Sequence, residues 1–460
     1  MCWRHPGTTT NRISELHPAE QMRSPNSPGQ PPPAPPTFTE LLRVFGRIGC
    51  ISFGGPAGQI ALMHEELVDR RKWVDEAAFL RALNLCTLLP GPEAQQLATW
   101  IGWRLHGTLG GLAAGLLFVV PGSAVMLGLS ILYAYAANLA PVAALFLGIK
   151  AAVLAIVFQA VIRIGKRALG TSLKRGVAVA SFIALFLFNA PFPAIVAIAF
   201  ALGFALTARQ LPMEGKTPPA PRLAWRTLGT AALWLAIWAA PMVLVLIALG
   251  PDHILWKIGL FFSKLAVVTF GGAYAVLSYM AQQAVQNMGW LDARAMADGL
   301  GLAETTPGPL IMVTQFVGFL GAFHTPAPFS PLTAGILAAA LTTWVTFAPC
   351  FMWIFLFAPW MERLEHAARL QGAMAMVTAA VVGVIANLAA WFTLHVLFGQ
   401  VVEQKVGIMR LHQPAWGSLD WRVLVVAVAA ALMIFRLRLG MLTVLAVSAL
   451  MGIALSALAL

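Results

Sequence analysis

The same arrangement of glycine and proline occurs twice in this chain, at positions 217 residues apart. The first copy has Phe53-Gly54-Gly55 followed by Pro90-Gly91-Pro92, and the second has Phe270-Gly271-Gly272 followed by Pro307-Gly308-Pro309. Further pairs match in the same register without a gap: Phe45 and Phe262, Met63 and Met280, Trp73 and Trp290, Asp75 and Asp292, Leu83 and Leu300, and Leu85 and Leu302. Glycine and proline at fixed points inside apolar runs interrupt helices. The chain is therefore predicted to be a duplication whose two copies contain helices broken at the same places.

The composition places these broken helices in a membrane. Of the 460 residues, 59% are hydrophobic and only 10% are charged, whereas about a quarter of a soluble domain is charged. The net charge of +12 comes from short basic clusters between apolar stretches, which is typical of a topology signal rather than of a nucleic-acid surface. We therefore predict an all-α polytopic membrane protein, with roughly 9–13 membrane segments and no nucleic-acid partner.

Thiolate chemistry and ATP hydrolysis are not indicated. The four cysteines, at positions 2, 50, 86 and 350, show no C-x-x-C spacing, so neither a disulfide framework nor a thiolate metal site is predicted. No G-x-x-x-x-G-K-[ST] motif is present, so this chain is not expected to hydrolyse ATP. We predict no metal and no cofactor. Secondary transporters interrupt their helices at bilayer depth, so a carrier driven by an ion gradient is the class that fits a chain without an ATP-binding motif.

Two polar, proline-rich stretches divide the chain. Residues 1–37 are predicted to be a disordered tail, and Arg4, Arg12 and Arg23 favour its retention in the cytoplasm. The predicted order after the tail is a first repeat over 38–208, a linker over 209–225, a connecting transmembrane helix over 226–250 and a second repeat over 251–460.

Charge at matched positions predicts opposite orientations for the two copies. The loop 70–72 is basic while its counterpart 287–289 carries no charge, and the bias reverses between the neutral loop 135–141 and its counterpart, which holds Arg363 and Arg369. An inverted repeat needs an odd number of crossings between the copies. The connecting helix supplies the odd one if the Phe-Gly-Gly and Pro-Gly-Pro segments enter and return from the same side. The stretch from Thr37 to Ser52 is too short to span a bilayer. Whether the Phe-Gly-Gly and Pro-Gly-Pro segments cross or re-enter stays open at this stage.

A helix that begins just after Pro-Gly-Pro exposes backbone N–H groups and the positive end of its dipole, which suits an oxyanion. Arg47 and Lys264 add a cation at matched positions, six residues before each Phe-Gly-Gly. An intramembrane cation indicates function by default, although both side chains could instead reach the membrane interface. Ser52 and Thr269 could donate hydroxyl hydrogen bonds or simply cap the helix break.

Two carboxylates flank the Pro-Gly-Pro turns and are the candidates for proton coupling. Glu93 follows the first turn and Glu304 precedes the second by three residues. A buried carboxylate can carry a proton, but Glu93 could also only complement the helix N-terminus, and Glu304 could lie near an aqueous face. Lys150 lies in the middle of an apolar segment, where it lines a pathway or reaches the interface.

The predicted substrate-binding residues surround the broken helices of both copies. They are Arg47, Ser52, Gly54, Gly55, Pro90, Gly91, Pro92, Gln95, Lys264, Thr269, Gly271, Gly272, Thr305, Thr306, Pro307, Gly308 and Pro309.

The motifs Phe53-Gly54-Gly55-Pro56, Leu89 to Ala98 and Thr305 to Leu310 resemble the chromate ion transporter family in its long-chain, two-domain form. The resemblance covers nearly all of residues 38–460. It implies a carrier of the bacterial inner membrane that exports chromate, is driven by the proton-motive force, confers chromate resistance and has sulfate as a structural analogue. The second copy departs from the first in having Ala273 where the first has Pro56.

Other functions stay open from the residues alone. A carrier of sulfate or another oxyanion and an anion channel are both compatible with an inverted repeat. A chromate reductase would need a flavin, haem or thiol site, which no dinucleotide motif or paired cysteine indicates. The predicted partners are the oxyanion and the lipid bilayer. The oligomeric state is open, a homodimer included.

Overall fold

Helices make up nearly all of the described chain, which confirms the all-α polytopic prediction. The computed structural model describes residues 36–137, 139–210, 225–269, 273–361 and 367–458. Residues 1–35 of the predicted tail, residues 211–224 of the linker, Gly271, Gly272 and Arg363 lie outside these ranges. Within them, five helices are long and apolar enough to cross a membrane: Glu93–Ala136, Ala140–Ala168, Thr227–Leu249, Pro331–Trp360 and Ala368–Leu397.

The first half of the described chain has eight helices, the last of which connects the two copies. They are α1 (Phe38–Ile51), α2 (Gly55–His64, continued as a π-helix over Glu65–Arg70), α3 (Glu76–Leu88), α4 (Glu93–Ala136), α5 (Ala140–Ala168), α6 (Ser172–Phe186), α7 (Phe192–Gln210) and α8 (Trp225–Leu249).

The second half repeats this order. It has α9 (Ile254–Val268), α10 (Ala273–Ala281, continued as a π-helix over Gln282–Asn287), α11 (Ala293–Thr305), α12 (Val313–His324, preceded by a 3₁₀ turn over Leu310–Met312), α13 (Pro331–Phe357, followed by a 3₁₀ turn over Ala358–Trp360), α14 (Ala368–Leu397), α15 (Trp421–Phe435) and α16 (Met441–Ala457).

Between α14 and α15 the chain forms an antiparallel hairpin that the sequence analysis did not predict. Its strands are β1 (Val401–Val406) and β2 (Met409–Pro414), paired from Val401 with Pro414 to Val406 with Met409. Most of its residues are exposed, so the hairpin is a surface element beside the helices.

Identical caps start the third helix of each copy. Asp75 accepts a hydrogen bond from the backbone N–H of Ala78 (2.8 Å), and Asp292 accepts one from Ala295 (2.7 Å). An aspartate at this position satisfies one of the orphan donors of a helix N-terminus. The matched aspartates of the duplication are therefore local start signals for helices.

α4 is two helices joined at a kink. His106 and Gly107 have non-helical backbone angles, and the chain reverses there, because the backbone of Gly102 packs directly against that of Gly110. The part before the kink is a half-helix, and the part after it is long enough to cross a bilayer.

In the first copy, both broken segments enter and return at the same end of the molecule, which we call the first face. At the start of α1, the backbone oxygen of Pro36 lies 2.8 Å from His106 Nε2 at the kink. Asp75, at the start of α3, lies 3.6 Å from Arg104 at the end of the half-helix. His64, at the end of α2, contacts Glu76 (2.6 Å). The Phe-Gly-Gly and Pro-Gly-Pro segments of this copy are therefore re-entrant.

The second copy has the same arrangement at what we call the second face. His253 Nε2, before α9, lies 3.0 Å from the backbone oxygen of Ala327, between α12 and α13. His324 Nδ1, at the end of α12, lies 3.4 Å from the backbone oxygen of Trp290, before α11.

The two faces lie at opposite ends of the part of α4 that follows the kink. His106 marks the first face, whereas Tyr135, near the last residue of α4, packs its ring on Phe323 of α12 at the second face (5.5 Å between centroids). The far end of α13 returns to the first face, where Phe355 packs on Gly111. The re-entrant segments of the two copies thus enter the helical body from opposite ends.

The remaining helices exchange partners between the copies. α14 of the second copy packs against α6 and α7 of the first, while α15 and α16 pack against α5. Much of the buried core therefore consists of side chains from one copy packed against side chains from the other, and neither copy forms its core alone.

Candidate functional site

The two Pro-Gly-Pro turns lie in the interior, at the inner ends of the re-entrant segments. Gly91 has φ +120° and Gly308 has φ +90°, a left-handed conformation that glycine adopts without steric cost. Both glycines and the prolines before them are buried. The glycines are therefore required by the shape of the turn.

Each turn is bonded to the broken helix of the other copy. Gly308 N donates to the backbone oxygen of Ser52, and Gly91 N donates to that of Thr269, both at 2.9 Å. Ser52 and Thr269 are matched positions, as are Gly91 and Gly308. A contact from i to j with its counterpart from j to i is the mark of a two-fold relation. We call these contacts the Gly308 junction and the Gly91 junction.

Gln59, on α2, strengthens the Gly308 junction. Its Nε2 donates to the backbone oxygen of Gly308 (2.5 Å) and lies 3.5 Å from that of Ser52. The side chain is 1% exposed. Gln59 was not predicted as a site residue because its matched residue in the second copy is Val276. A polar residue inside an apolar stretch was the available signal.

The Gly91 junction has different supporting residues. Gln96 Nε2 donates to the backbone oxygen of Pro90 (2.7 Å). The space beside the Cα atom of Gly91 is filled by Cys350 Sγ and by Gln96 Nε2.

Cys350 has a counterpart in the first copy, since it follows Pro349 within α13 as Gly122 follows Pro121 within α4. Gly122 packs against Pro307 and Gly308. One junction therefore has a thiol where the other has only backbone, and the sequence analysis assigned Cys350 no role.

Several buried polar atoms next to the junctions have no hydrogen-bond partner among the described residues. They are Ser52 Oγ, Gln59 Oε1, Gln95 Oε1 and Gln96 Oε1. Buried polar groups are almost always satisfied, so this cluster needs an explanation. The hydroxyl of Ser52 can donate a hydrogen bond to an anion, whereas the three amide oxygens only accept and need a donor such as water. A bound anion together with ordered water would provide the missing partners.

The half-helices start at the turns as predicted. α4 begins at Glu93 directly after Pro92, and in the second copy the 3₁₀ turn at Leu310 begins directly after Pro309. The first backbone N–H groups of a helix have no partner within it, and the dipole adds partial positive charge there. Both turns therefore present donors inside the protein.

Other predicted site residues do not point into the junctions. Arg47 and Lys264 have exposed side chains on α1 and α9, and neither forms a salt bridge with a described residue. The hydroxyl groups of Thr269, Thr305 and Thr306 donate to backbone oxygens three or four residues earlier. Gly54 has φ +92° and starts α2 together with the buried Gly55.

The two predicted proton carriers lie in different surroundings. Glu93 is partly buried and lies within electrostatic range of Cys86 on α3. Glu304 is 4% exposed near the end of α11. A third carboxylate, Asp298 on α11, was not predicted; it is buried and accepts a hydrogen bond from Tyr133 Oη (3.0 Å). Asp298 was not predicted because, in the sequence, it lies between the charged residues of the preceding loop and an apolar segment.

His64 links the two re-entrant segments at the first face. Its Nε2 lies 2.6 Å from Glu76 and its Nδ1 lies 3.2 Å from Asp69. Partial burial works against a charge on the ring, but the hydrogen bond and charge of Glu76, and then those of Asp69, outweigh it and raise the pKa of His64.

Comparison with known proteins shows that both copies, with their re-entrant helices, match one known domain family. The family model described as chromate transporter matches residues 39–204 and 256–453. The chain belongs to the chromate transporter family. Each matched region of the chromate transporter domain begins at a first re-entrant helix, α1 or α9, and so contains one Pro-Gly-Pro turn.

Individual relatives agree with this assignment. The chromate transport protein of Pseudomonas aeruginosa is 30% identical over 365 residues, which cover 77% of this chain and 80% of that protein. That of Cupriavidus metallidurans is 28% identical over 352 residues, covering 76% and 82%. The probable chromate transport protein of Synechococcus elongatus is 27% identical over 351 residues, covering 76% and 83%. No solved structure matches the chain.

Proposed function

We propose that this chain exports chromate, or a tetrahedral oxyanion of the same shape such as sulfate, from the cytoplasm by alternating access driven by the proton-motive force. The observation that carries the proposal is the reciprocal pair of junctions between the two copies. Each junction joins a half-helix N-terminus of one copy to the broken helix of the other. Chromate accepts hydrogen bonds but cannot donate them, so converging N–H, hydroxyl and amide donors are the groups that would hold it.

The junctions suggest how access would alternate. In this conformation Gly91 N and Gly308 N are occupied by Thr269 and Ser52. A movement of one copy against the other would break one junction. At the Gly308 junction this would free for the anion a backbone N–H and the Nε2 group of Gln59, beside the unpartnered hydroxyl of Ser52. Because the copies enter from opposite faces, opening one junction would expose the site to one side only.

Basic residues favour a cytoplasmic position for the first face. The loop at Arg70 and Arg71 and the start of α3 lie there, and the far end of α5 carries Lys166 and Arg167. Positive residues are retained on the cytoplasmic side. With this orientation in a bacterial inner membrane, the tail is cytoplasmic and export runs from the first face to the second. Chromate resistance would follow from export.

Labelled chromate uptake into inverted membrane vesicles tests the proposal. We expect uptake that needs a proton-motive force and falls with excess sulfate, whereas an anion channel would conduct without proton coupling. The Glu93→Gln variant tests the coupling separately, because uptake that still follows pH and still collapses with an uncoupler would exclude Glu93 as the proton carrier. Vesicles that contain folded protein but take up no more chromate than control vesicles would overturn the proposal.

A further inference from the structure

A cavity of about 700 Å³ opens at the second face, away from the junctions. It lies between the start of α5, the end of α14, the start of α15 and the end of α16. Its lining is unusually cationic for a chain with only 10% charged residues, since it includes Lys150, Arg294 and Arg422 against a single carboxylate, Asp420.

Only part of this charge is neutralised within the lining. Asp420 binds Arg422 through both carboxylate oxygens, at 3.1 and 3.0 Å, so that pair is close to neutral. Among the described residues, neither Lys150 nor Arg294 forms a salt bridge. The buried Asp298 is not part of the lining but lies within electrostatic range of both cations, and it accepts a hydrogen bond from Tyr133. Even with its charge included, three cations face two carboxylates. The cavity therefore keeps a net positive lining.

Lys150 is the innermost of these cations. It lies ten residues along α5 from Ala140, the first residue of the helix, which is a depth of about 15 Å at 1.5 Å per residue. A lysine at that depth is costly unless it faces water or a partner, and the cavity supplies the aqueous side. Ser456 adds a hydroxyl group to the lining, whereas the hydroxyl of Ser418 donates to the backbone oxygen of Ala415 (2.7 Å).

We propose that this cavity is an anion vestibule in which a free tetrahedral oxyanion binds before it enters or after it leaves the membrane, with Lys150 as the inner ligand and Arg294 at the rim. The assignment to the transport path rests on the proposed function. The same chemistry would also hold the phosphate of an anionic lipid. We assign the free anion because the cation lies about 15 Å below the start of α5, deeper than a headgroup at the membrane surface.

A cysteine at Ser456 would report the potential inside the cavity without changing any charge. The protein is reconstituted in nanodiscs of zwitterionic lipid, and labelling at residue 456 is followed by peptide mass spectrometry with an anionic and a cationic methanethiosulfonate. The helices α5 and α16 run antiparallel with Gly452 against Ala144, so Ser456 lies near the level of Ala140 and about 15 Å from Lys150 along the helix. One positive charge at that distance favours the anionic reagent roughly two-fold. We expect at least this ratio in Ser456→Cys, a clear fall in Ser456→Cys/Lys150→Gln, and no change with Lys405→Gln, which removes an exposed lysine of the hairpin outside the cavity.

Added sulfate distinguishes the two sources of oxyanion. Protection of Ser456→Cys from labelling by sulfate in zwitterionic nanodiscs would support the free-anion vestibule. Protection by added phosphatidylglycerol but not by sulfate would overturn it in favour of a lipid headgroup. Equal rates for the two reagents, or no labelling by either, would also overturn it. Labelling does not depend on transport, so a chain that shows this ratio but takes up no chromate would contradict the proposed function and leave the anion site standing.

Discussion

The backbone N–H of Gly308 donates to the backbone oxygen of Ser52 at 2.9 Å, and so joins the turn of one copy to the broken helix of the other. The bond has a counterpart between Gly91 and Thr269 at the same distance. In each copy, the turn and the broken helix therefore form their backbone hydrogen bonds with the opposite copy. A duplication alone does not require such an exchange, but two halves that move against each other around one site do need contacts that can be broken and remade.

Alanine at the turn glycines should damage both junctions, and Gly91→Ala should be the worse of the two. Both positions have positive φ, which costs a residue with a side chain about 1–3 kcal/mol. At Gly91 an added Cβ atom would also meet Cys350 Sγ at 2.8 Å, whereas at Gly308 the nearest atom is 3.4 Å away. We expect a lower thermal midpoint in detergent for both variants and a larger drop for Gly91→Ala.

Gly229→Ala is the matched control for the turn variants. Gly229 lies in α8 with no atom near the added Cβ, so alanine there should be neutral or slightly stabilising. Equal midpoints for Gly91→Ala and Gly229→Ala would show that the turn tolerates a side chain.

Gln59→Leu should weaken the Gly308 junction without unfolding the protein. Leucine fills a similar volume but leaves the backbone oxygen of Gly308 without its donor, and an unsatisfied buried group costs about 1–3 kcal/mol. We expect chromate uptake to fall by roughly five-fold or more at that cost, measured in vesicles with equal amounts of folded protein. Val276→Leu, at the matched position of the second copy, is the control and should retain uptake. Unchanged uptake in Gln59→Leu would remove the junction from the mechanism.

The sequence predicted the breaks well because they depend on local chemistry. Gly91 and Gly308 adopt backbone angles that other residues avoid, and Asp75 and Asp292 cap helices through their own side chains. Such signals act within a few residues and can be read from spacing. The start of the half-helix at Glu93 is local in the same way, because the extended Pro92 directly before it ends the turn.

The contacts between the copies could not be predicted in this way. Spacing does not say that Gly308 meets Ser52, since these residues are far apart in the chain and belong to different copies. Gln59 was missed because it has no polar counterpart, and an argument from symmetry favours residues that recur. The recurring cations Arg47 and Lys264 have exposed side chains, so their role in binding stays a prediction.

Cysteine labelling should place the two π-helical turns on opposite sides of the membrane. Arg71 and Met288 lie at the ends of the π-helices after α2 and α10, and these segments enter from opposite faces. Each residue is replaced by cysteine in a separate variant. We expect an impermeant reagent to label only one of them from each side of oriented vesicles. A cysteine at Arg104, which contacts Asp75 at the first face, should behave like the one at Arg71. Labelling of Arg71→Cys and Met288→Cys from the same side would contradict the inverted arrangement.

The contact of His64 with Glu76 and Asp69 should make stability depend on pH. The pKa of His64 is raised above its ordinary value of 6.5 by these carboxylates. The folded protein therefore holds the proton more tightly than the unfolded chain, so this stabilisation is complete below pH 6.5 and is lost as the pH rises through the higher, folded-state pKa. We expect the thermal midpoint of the native protein to fall between pH 6 and pH 8 relative to that of His64→Gln. A constant difference between the two across this range would exclude the effect.

Neutralising the matched cations tests whether they bind the substrate although their side chains are exposed. If Arg47 and Lys264 meet the anion when the copies move, Arg47→Gln and Lys264→Gln should each raise the apparent KM for chromate about ten-fold, which corresponds to about 1.4 kcal/mol. Arg43→Gln is the control, because Arg43 is an exposed cation on the same helix whose matched position holds Leu260. A similar small change in all three variants would indicate a general effect of surface charge. Unchanged KM in both Arg47→Gln and Lys264→Gln, with folded protein present, would remove these residues from the site and leave binding to the turns and to the polar side chains around them.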